Sequence, residues 1–297
     1  MTGAATEVDL DVILTAEVPT PYGYVFRAPG GLGARLRSGL NPRGEMIVSP
    51  CLAFVVRHPT AGVMLVDTGL HPDALRGVRR DFGAAMGLLF RGLRPAGEPF
   101  DAQLRARGVE PTDVESVLMT HLHVDHTSAM RLLPNARFTV ARTEWEATRT
   151  RLPAARGYVP RHLPSPERLS LVDLHADGEP WGPFGRTLDL LGDGSIRLIA
   201  SPGHTPGHLS VLVNATGGRR VLLVGDAAYT RRSIEEQILP MLCADDDAAR
   251  ATLRELNAFA AQDPTALLVP SHDPHAYNEL LGDGTGREIR ARQPRPT

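Results

Sequence analysis

His121-Leu-His123-Val-Asp125-His126 follows the short apolar run Ser116–Met119 and decides how the rest of the chain is read. Four side chains that bind metals through nitrogen or oxygen fall within six residues, a density that core packing does not explain. Imidazole and carboxylate suit zinc, iron, manganese or cobalt, and their alternation lets two sets of donors face two ions. The stretch reads as a metal-binding loop at the end of a buried strand.

Three other segments repeat that design. Ser201-Pro-Gly-His204-Thr-Pro-Gly-His208 follows the apolar run Ile196–Ala200, Leu222-Leu-Val-Gly-Asp226 is an apolar run ending in an acid, and Leu267-Leu-Val-Pro-Ser-His272 ends in a histidine. Catalytic groups are disproportionately carried on loops that a rigid scaffold positions. Each segment is a weak signal alone, and together they are a strong one.

In these motifs the chain resembles the metallo-β-lactamase fold superfamily from about Pro50 to His272. The family's pattern falls on His121, His123, Asp125, His126, His204, Asp226 and His272. Val66-Asp67-Thr68-Gly69 resembles its early acidic turn, which anchors the metal loops without binding metal. The resemblance implies an α/β (α+β) fold, a four-layer αββα sandwich with its ions at one edge. Thr127-Ser128 departs from the pattern, where glycines are usual.

The resemblance also implies a division of labour. His121, His123 and His204 would hold one divalent ion, Asp125, His126 and His272 a second, and Asp226 would bridge them. Zinc is the expected metal, with iron, manganese and cobalt open. Open positions on both ions, as catalytic sites keep, would let them share a hydroxide that acts as the nucleophile. Asp67 would anchor a ligand from behind, and His208 would be structural or hydrogen-bond a ligand. His275 is open to the same role, Asp273 is either solvated or supporting, and His58, His71, His162 and His175 read as surface residues.

Tyr229, three positions after Asp226, would reach over the metals if the turn is tight. Its phenol could donate to a carbonyl oxygen becoming an oxyanion; the alternative is a ring packed under the loop. Asp226-Ala-Ala-Tyr229-Thr230, Arg142-Thr-Glu-Trp-Glu146 and the Ser201–His208 motif resemble the N-acyl homoserine lactone lactonase branch. That likeness implies lactone opening and degradation of quorum-sensing signals, with Tyr229 stabilising the oxyanion and Asp125 or Asp226 moving the proton. The interval from His126 to His204 is long for that branch, lengthened by Leu152–Phe184. A hydroxyacylglutathione hydrolase-like thioesterase and a mono-iron sulfur dioxygenase share similar ligands and stay as alternatives. The former normally needs a helical region after the last ligand. A β-lactam hydrolase fits poorly, because that branch lacks the bridging Asp or replaces it with Cys.

Composition narrows the setting. A chain of 297 residues with 42% apolar residues can bury a large α/β core, and residues 1–281 are read as one hydrolase domain. A net charge of −2 gives no electrostatic reason to bind nucleic acid. The chain has no lysine, which removes lysine nucleophiles and Schiff bases. Two cysteines, Cys51 and Cys243, are too few for a disulfide framework and favour a reducing compartment. Met1–Leu14 is acidic without a basic start and apolar core, and no run reaches the ~20 apolar residues of a membrane span. The expected protein is cytoplasmic, takes a small acyl lactone, binds no membrane and is compatible with a homodimer.

Along the chain, strands are expected near Val8–Leu14, Met46–Arg57, Val63–Val66, Ser116–Met119, Arg137–Ala141, Thr187–Leu191, Ile196–Ala200, Leu209–Val213, Val221–Val224 and Ala266–Val269. Pro72–Leu93 reads as one helix, with Val78, Phe82, Met86, Leu89 and Leu93 on a stripe that packs on the sheet or a partner subunit, or walls an acyl chain. Asp101–Arg107 and Asp245–Ala261 read as helices, and Thr143 with Glu146 reads as a capping box. Residues 152–184 show little periodicity and form either a lid over the metals or a surface excursion; residues 282–297 read as a loose tail.

Overall fold

The computed structural model describes residues 5–84 and 86–282. Two β-sheets organise them. The first contains β1 (Asp9–Pro21), β2 (Met46–His58), β3 (Gly62–Val66), β4 (Arg94–Pro95), β5 (Ser116–Leu118), β6 (Arg137–Ala141) and β7 (Leu169–Val172), in the order β4-β1-β2-β3-β5-β6-β7. The second contains β8 (Glu179–Trp181), β9 (Phe184–Asp189), β10 (Ile196–Ala200), β11 (Leu209–Ala215), β12 (Arg219–Gly225) and β13 (Leu267–Pro270), in the order β13-β12-β11-β10-β9-β8. The helices are α1 (Tyr22–Val25), α2 (Leu32–Gly39), α3 (Pro72–Arg76), α4 (Val78–Phe82), α5 (Met86–Leu89), α6 (Phe100–Ala106), α7 (Val124–Thr127), α8 (Arg142–Ala147), α9 (Arg231–Glu235), α10 (Asp246–Gln262) and α11 (Pro274–Leu280).

Side chains alternate along a strand, so each sheet has two faces to cover. Val12, Phe54, Val66 and Leu118 point inward and meet Leu198, Val211, Leu223 and Val269 of the facing sheet in one core. Their neighbours Ile13, Val55 and Val117 point outward onto Phe100 and Leu104 of α6. On the other side Leu212, Leu222 and Leu268 pack against Leu253, Leu256 and Phe259 of α10. The layers are therefore helix, sheet, sheet, helix, as expected. The α10 helix starts where Asp245 accepts from the amides of Asp247 and Ala248, a cap that satisfies otherwise unpaired donors.

Strand direction places the chemistry. β3 and β5 are parallel, as are β12 and β13, while β10 lies two antiparallel steps from β12 and so runs with it. The loops leaving the C-terminal ends of these five strands carry Asp67, His121–His126, His204, Asp226 and His272. They meet at one edge of the sandwich.

Several expectations need correction. Pro72–Leu93 is three short helices interrupted at Gly77 and Gly83, although its apolar stripe is buried as a unit with Leu70, Val124 and Val159. Residues 152–184 contain β7 and β8, which extend one sheet each, because Leu169–Val172 and Glu179–Trp181 find partners in Phe138–Ala141 and Phe184–Thr187. β1 continues to Pro21. The α8 helix begins at Arg142 with Ala141 as its cap and no side-chain capping bond, so the Thr143–Glu146 box does not form. Of the expected tail, residues 283–297 lie outside the described residues.

Candidate metal centre

The loop after β5 is held from below by Asp67. Its carboxylate accepts from the Thr120 amide (2.8 Å), the Thr120 hydroxyl (2.7 Å) and His126 Nδ1 (2.7 Å). Asp67 sits at φ 56, a left-handed backbone uncommon for a side chain with a Cβ, and its neighbour Thr68 donates to the His126 carbonyl (2.6 Å). Because Thr120 gives its proton to Asp67, its oxygen is free to accept from His121 Nδ1, 3.1 Å away. Both His121 and His126 thus donate through Nδ1 and turn Nε2 toward the site, the usual way a second partner orients a metal-binding histidine.

The other ligand loops are fixed similarly. His272 Nδ1 donates to the Pro50 carbonyl (2.9 Å), leaving Nε2 facing the site. The Asp226 amide donates to His208 Nε2 (3.0 Å), whose Nδ1 bonds Ser201 (2.8 Å). Burial lowers the His208 pKa to about 3, which keeps the accepting nitrogen free of a proton.

All seven predicted side chains converge. His121, His123 and His204 form one group of donor atoms; Asp125, His126, Asp226 and His272 form another. Asp226 reaches both. Its Oδ2 lies 3.1 Å from His272 Nε2, 3.5 Å from His204 Nε2 and 3.8 Å from His121 Nε2, and its Oδ1 lies 3.3 Å from His126 Nε2. Asp125 lies 3.5 Å from His272 Nε2. The His121 Nε2 lone pair facing Asp226 Oδ2 repels it unless a cation lies between them. The buried atoms His121 Nε2 and Asp226 Oδ1 have no hydrogen-bond partner, which fits metal coordination. Burial, reinforced by neighbouring imidazoles, pushes the His121 and His204 pKa values well down, and burial also lowers His123. Neutral imidazole is the ligating form. For His126 and His272 burial acts the same way but loses to the carboxylates around them, Asp67 and Asp226 for the first and Asp226 for the second.

The donor set opens into a cavity of about 630 Å³. Met86, Leu89 and Phe90 line it from the stripe after β3, Val18 from β1, and Ala155–Tyr158 from the insertion. Tyr229 is 4% exposed and set edge-on to His272 (centroids 5.1 Å) and His204 (5.7 Å). Burial above all, then Tyr24 and the site carboxylates, pushes its phenol well above the usual range, so it stays a proton donor.

The family model described as metallo-beta-lactamase superfamily matches residues 46–272. The chain belongs to the metallo-β-lactamase superfamily. Among curated superfamily relatives, the N-acyl homoserine lactonase AttM of Azorhizobium caulinodans is 33% identical over 231 residues, covering 77% of this chain and 83% of the relative. The probable metallo-hydrolase Rv2300c of Mycobacterium tuberculosis is 33% identical over 244 residues, covering 73% and 72%. Among solved structures, an N-acyl homoserine lactone hydrolase with N-hexanoyl-L-homoserine at its catalytic metal centre matches with a TM-score of 0.67 at 21% identity, covering 94% of this chain and 97% of that one. The dizinc quorum-quenching lactonase AidC matches with a TM-score of 0.58 at 18% identity, covering 92% and 90%. These structural likenesses establish the shared fold. Superfamily membership and the His/Asp donor set make this a divalent-metal site.

Sequence reasoning missed Glu144 in this superfamily site. Fully buried on α8, Glu144 accepts from the Leu122 amide (3.0 Å) and the Gly207 amide (3.1 Å), tying the two histidine loops together. Gly207 is required by that approach, since a Cβ there would lie 2.1 Å from the Glu144 nitrogen. The available signal was an acid amid Arg142-Thr-Glu-Trp-Glu146, which the capping-box pattern assigned to the wrong residue pair. His58 and His162 are buried rather than on the surface, facing Asp193 (2.8 Å) and Asp81 (3.3 Å). His275 is exposed, and Asp273 is buried, accepting from the Arg231 amide (2.8 Å) and capping α11. Ser128 replaces glycine's plasticity with a hydrogen bond to Asp81 (2.7 Å).

Proposed function

We propose that the protein is a dinuclear metal hydrolase that opens lactone rings, with N-acyl homoserine lactones as its preferred substrates. The observation that carries this reading is a buried phenol, Tyr229, set against His204 and His272 in the cavity onto which the donor atoms open. Relatives that are N-acyl homoserine lactonases support the substrate class. His121, His123 and His204 would hold one cation and Asp125, His126 and His272 the other, with Asp226 within reach of both groups. Zinc suits this nitrogen-rich set. Two divalent cations held there would lower the pKa of water and polarise a carbonyl.

The chain's own residues do the rest. Met86, Leu89 and Phe90 receive the acyl arm, removing apolar surface from water. Tyr229 donates to the ester carbonyl oxygen as negative charge grows there. Asp125 or Asp226 takes the proton of the attacking water and returns it to the departing alkoxide as the ring C–O bond breaks. The cysteines are unpaired, which fits a reducing cytoplasmic setting, and no described helix is long and apolar enough to cross a membrane.

The test is a panel of lactones, thioesters, phosphodiesters and β-lactams with metal content measured on the same sample. Lactones should be preferred and two ions bound per chain; one iron with no lactone turnover overturns the reading. Tyr229→Phe should slow lactone opening roughly 10- to 1000-fold, the range for losing an oxyanion donor. Full activity in that variant removes the phenol from the mechanism.

A further inference from the structure

Tyr24 belongs to none of the ligand loops. It lies on α1, yet it lines the same cavity as Tyr229. The two rings are stacked with centroids 5.9 Å apart and planes 14° from parallel, and their phenols lie close enough for each to act on the other's proton. Tyr229 is therefore bounded by His204 and His272 at its edges and by Tyr24 across its face.

The position of Tyr24 is over-determined. The Tyr22 amide donates to the Glu45 carbonyl (2.8 Å), the Met241 amide to the Tyr24 carbonyl (2.8 Å) and the Arg27 amide to the Leu239 carbonyl (2.9 Å). Arg27 adds bonds to the Pro240 carbonyl (2.7 Å) and to Asp246. Helices α1 and α2 touch directly, since a Cβ on Gly23 would fall 2.0 Å from the Ser38 hydroxyl. A side chain on so constrained a turn suits a preorganised site.

A phenol carries one proton to donate and an oxygen that can accept. When Tyr229 gives its proton to a substrate carbonyl, its oxygen is free to accept from Tyr24. A bond received by that oxygen polarises the Tyr229 O–H and strengthens the bond it makes, as in other hydroxyl chains. Building on the role assigned to Tyr229 above, we propose that Tyr24 is a positioning residue for lactone opening: its hydroxyl donates to the Tyr229 oxygen and holds the Tyr229 proton toward the substrate carbonyl. The stacked ring sets the distance, and the hydroxyl sets the direction of the proton.

Kinetics of the metal-loaded protein and of Tyr24→Phe, Tyr229→Phe and the double variant on one N-acyl homoserine lactone test this. Phenylalanine keeps the stack and removes only the hydroxyl. Tyr24→Phe should lower kcat roughly five- to tenfold, the value of about one hydrogen bond, with KM within about twofold. The double variant should be no slower than Tyr229→Phe. With tyrosine labelled by ¹³C at Cζ, the Tyr229 resonance should shift in Tyr24→Phe without substrate present, a change that altered stability alone would not produce. A kcat unchanged in Tyr24→Phe, an unmoved resonance, or losses that multiply in the double variant overturns the proposal. If Tyr229→Phe alone is fully active, the fault lies in the role given to Tyr229; if it is slow and Tyr24→Phe is not, only the role given to Tyr24 falls.

Discussion

On one side of the cavity, Asp67, His208, Glu144 and the Pro50 carbonyl each fix a metal-facing group through a further hydrogen bond. On the other, residues 72–93 and 153–168 are short helical pieces held by an apolar cluster and one polar knot, in which Asp81 meets Ser128 (2.7 Å), Arg131 (2.9 Å) and His162 (3.3 Å). The first wall rests on sheet ends and has little freedom. The second is built of short units that meet the first through Gly157 and Tyr158 beside His123. In the proposed mechanism, reaction chemistry sits on the wall with redundant support and substrate fit on the wall without it.

Substitutions can break that contrast. The largest effect is expected from Asp226→Asn, which removes the carboxylate that reaches both donor groups: lactone turnover should drop to background and metal content should fall, measured together on one preparation. Glu144→Gln contacts no donor atom, yet it should weaken metal retention about 10- to 100-fold, as loss of a supporting shell does elsewhere. A competition titration with a chelator reads this, and unchanged retention would show that the clamp between the two loops is dispensable.

Acid should act on the ligand wall through His208. Its folded pKa, about 3, lies below the usual value near 6.5, so the unfolded chain binds the extra proton between them. That contribution to stability is complete above about pH 6.5 and is lost as pH falls toward 3, at up to about 1.4 kcal/mol per unit. Metal-free wild type and His208→Asn, melted across that range, should differ in slope. Smallest is Asp81→Asn on the covering wall, expected to cost about 1–3 kcal/mol of stability while kcat on a short lactone stays within a few-fold. A collapse of kcat there would mean that the two walls are not separable.

That same division explains what could be read before the fold was known. Strands such as Ile196–Ala200 and Leu267–Pro270 are mostly buried runs, and their ends carry ligand types rare outside metal sites, so both element and site were legible. The covering wall was legible only as composition. Val78, Phe82, Met86 and Leu89 announced an apolar face, but its division at Gly77 and Gly83 depends on which tertiary surface the pieces must follow. β7 and β8 were invisible because short segments in a Pro- and Arg-rich stretch become strands only when a sheet edge accepts their backbone groups. Tyr24 and Glu144 carry no local signature, since their partners lie 205 and 63 positions away in sequence or on another loop.

The closeness of Asp226 to four imidazoles has one more consequence. The nitrogen lone pairs that grip a cation are the ones that hydrogen ions seek, so loading the centre must expel acid and acidification must loosen the grip. Cofactor retention in this protein is thereby tied to ambient pH, and the carboxylates that sharpen the appetite for metal sharpen the competition from protons as well.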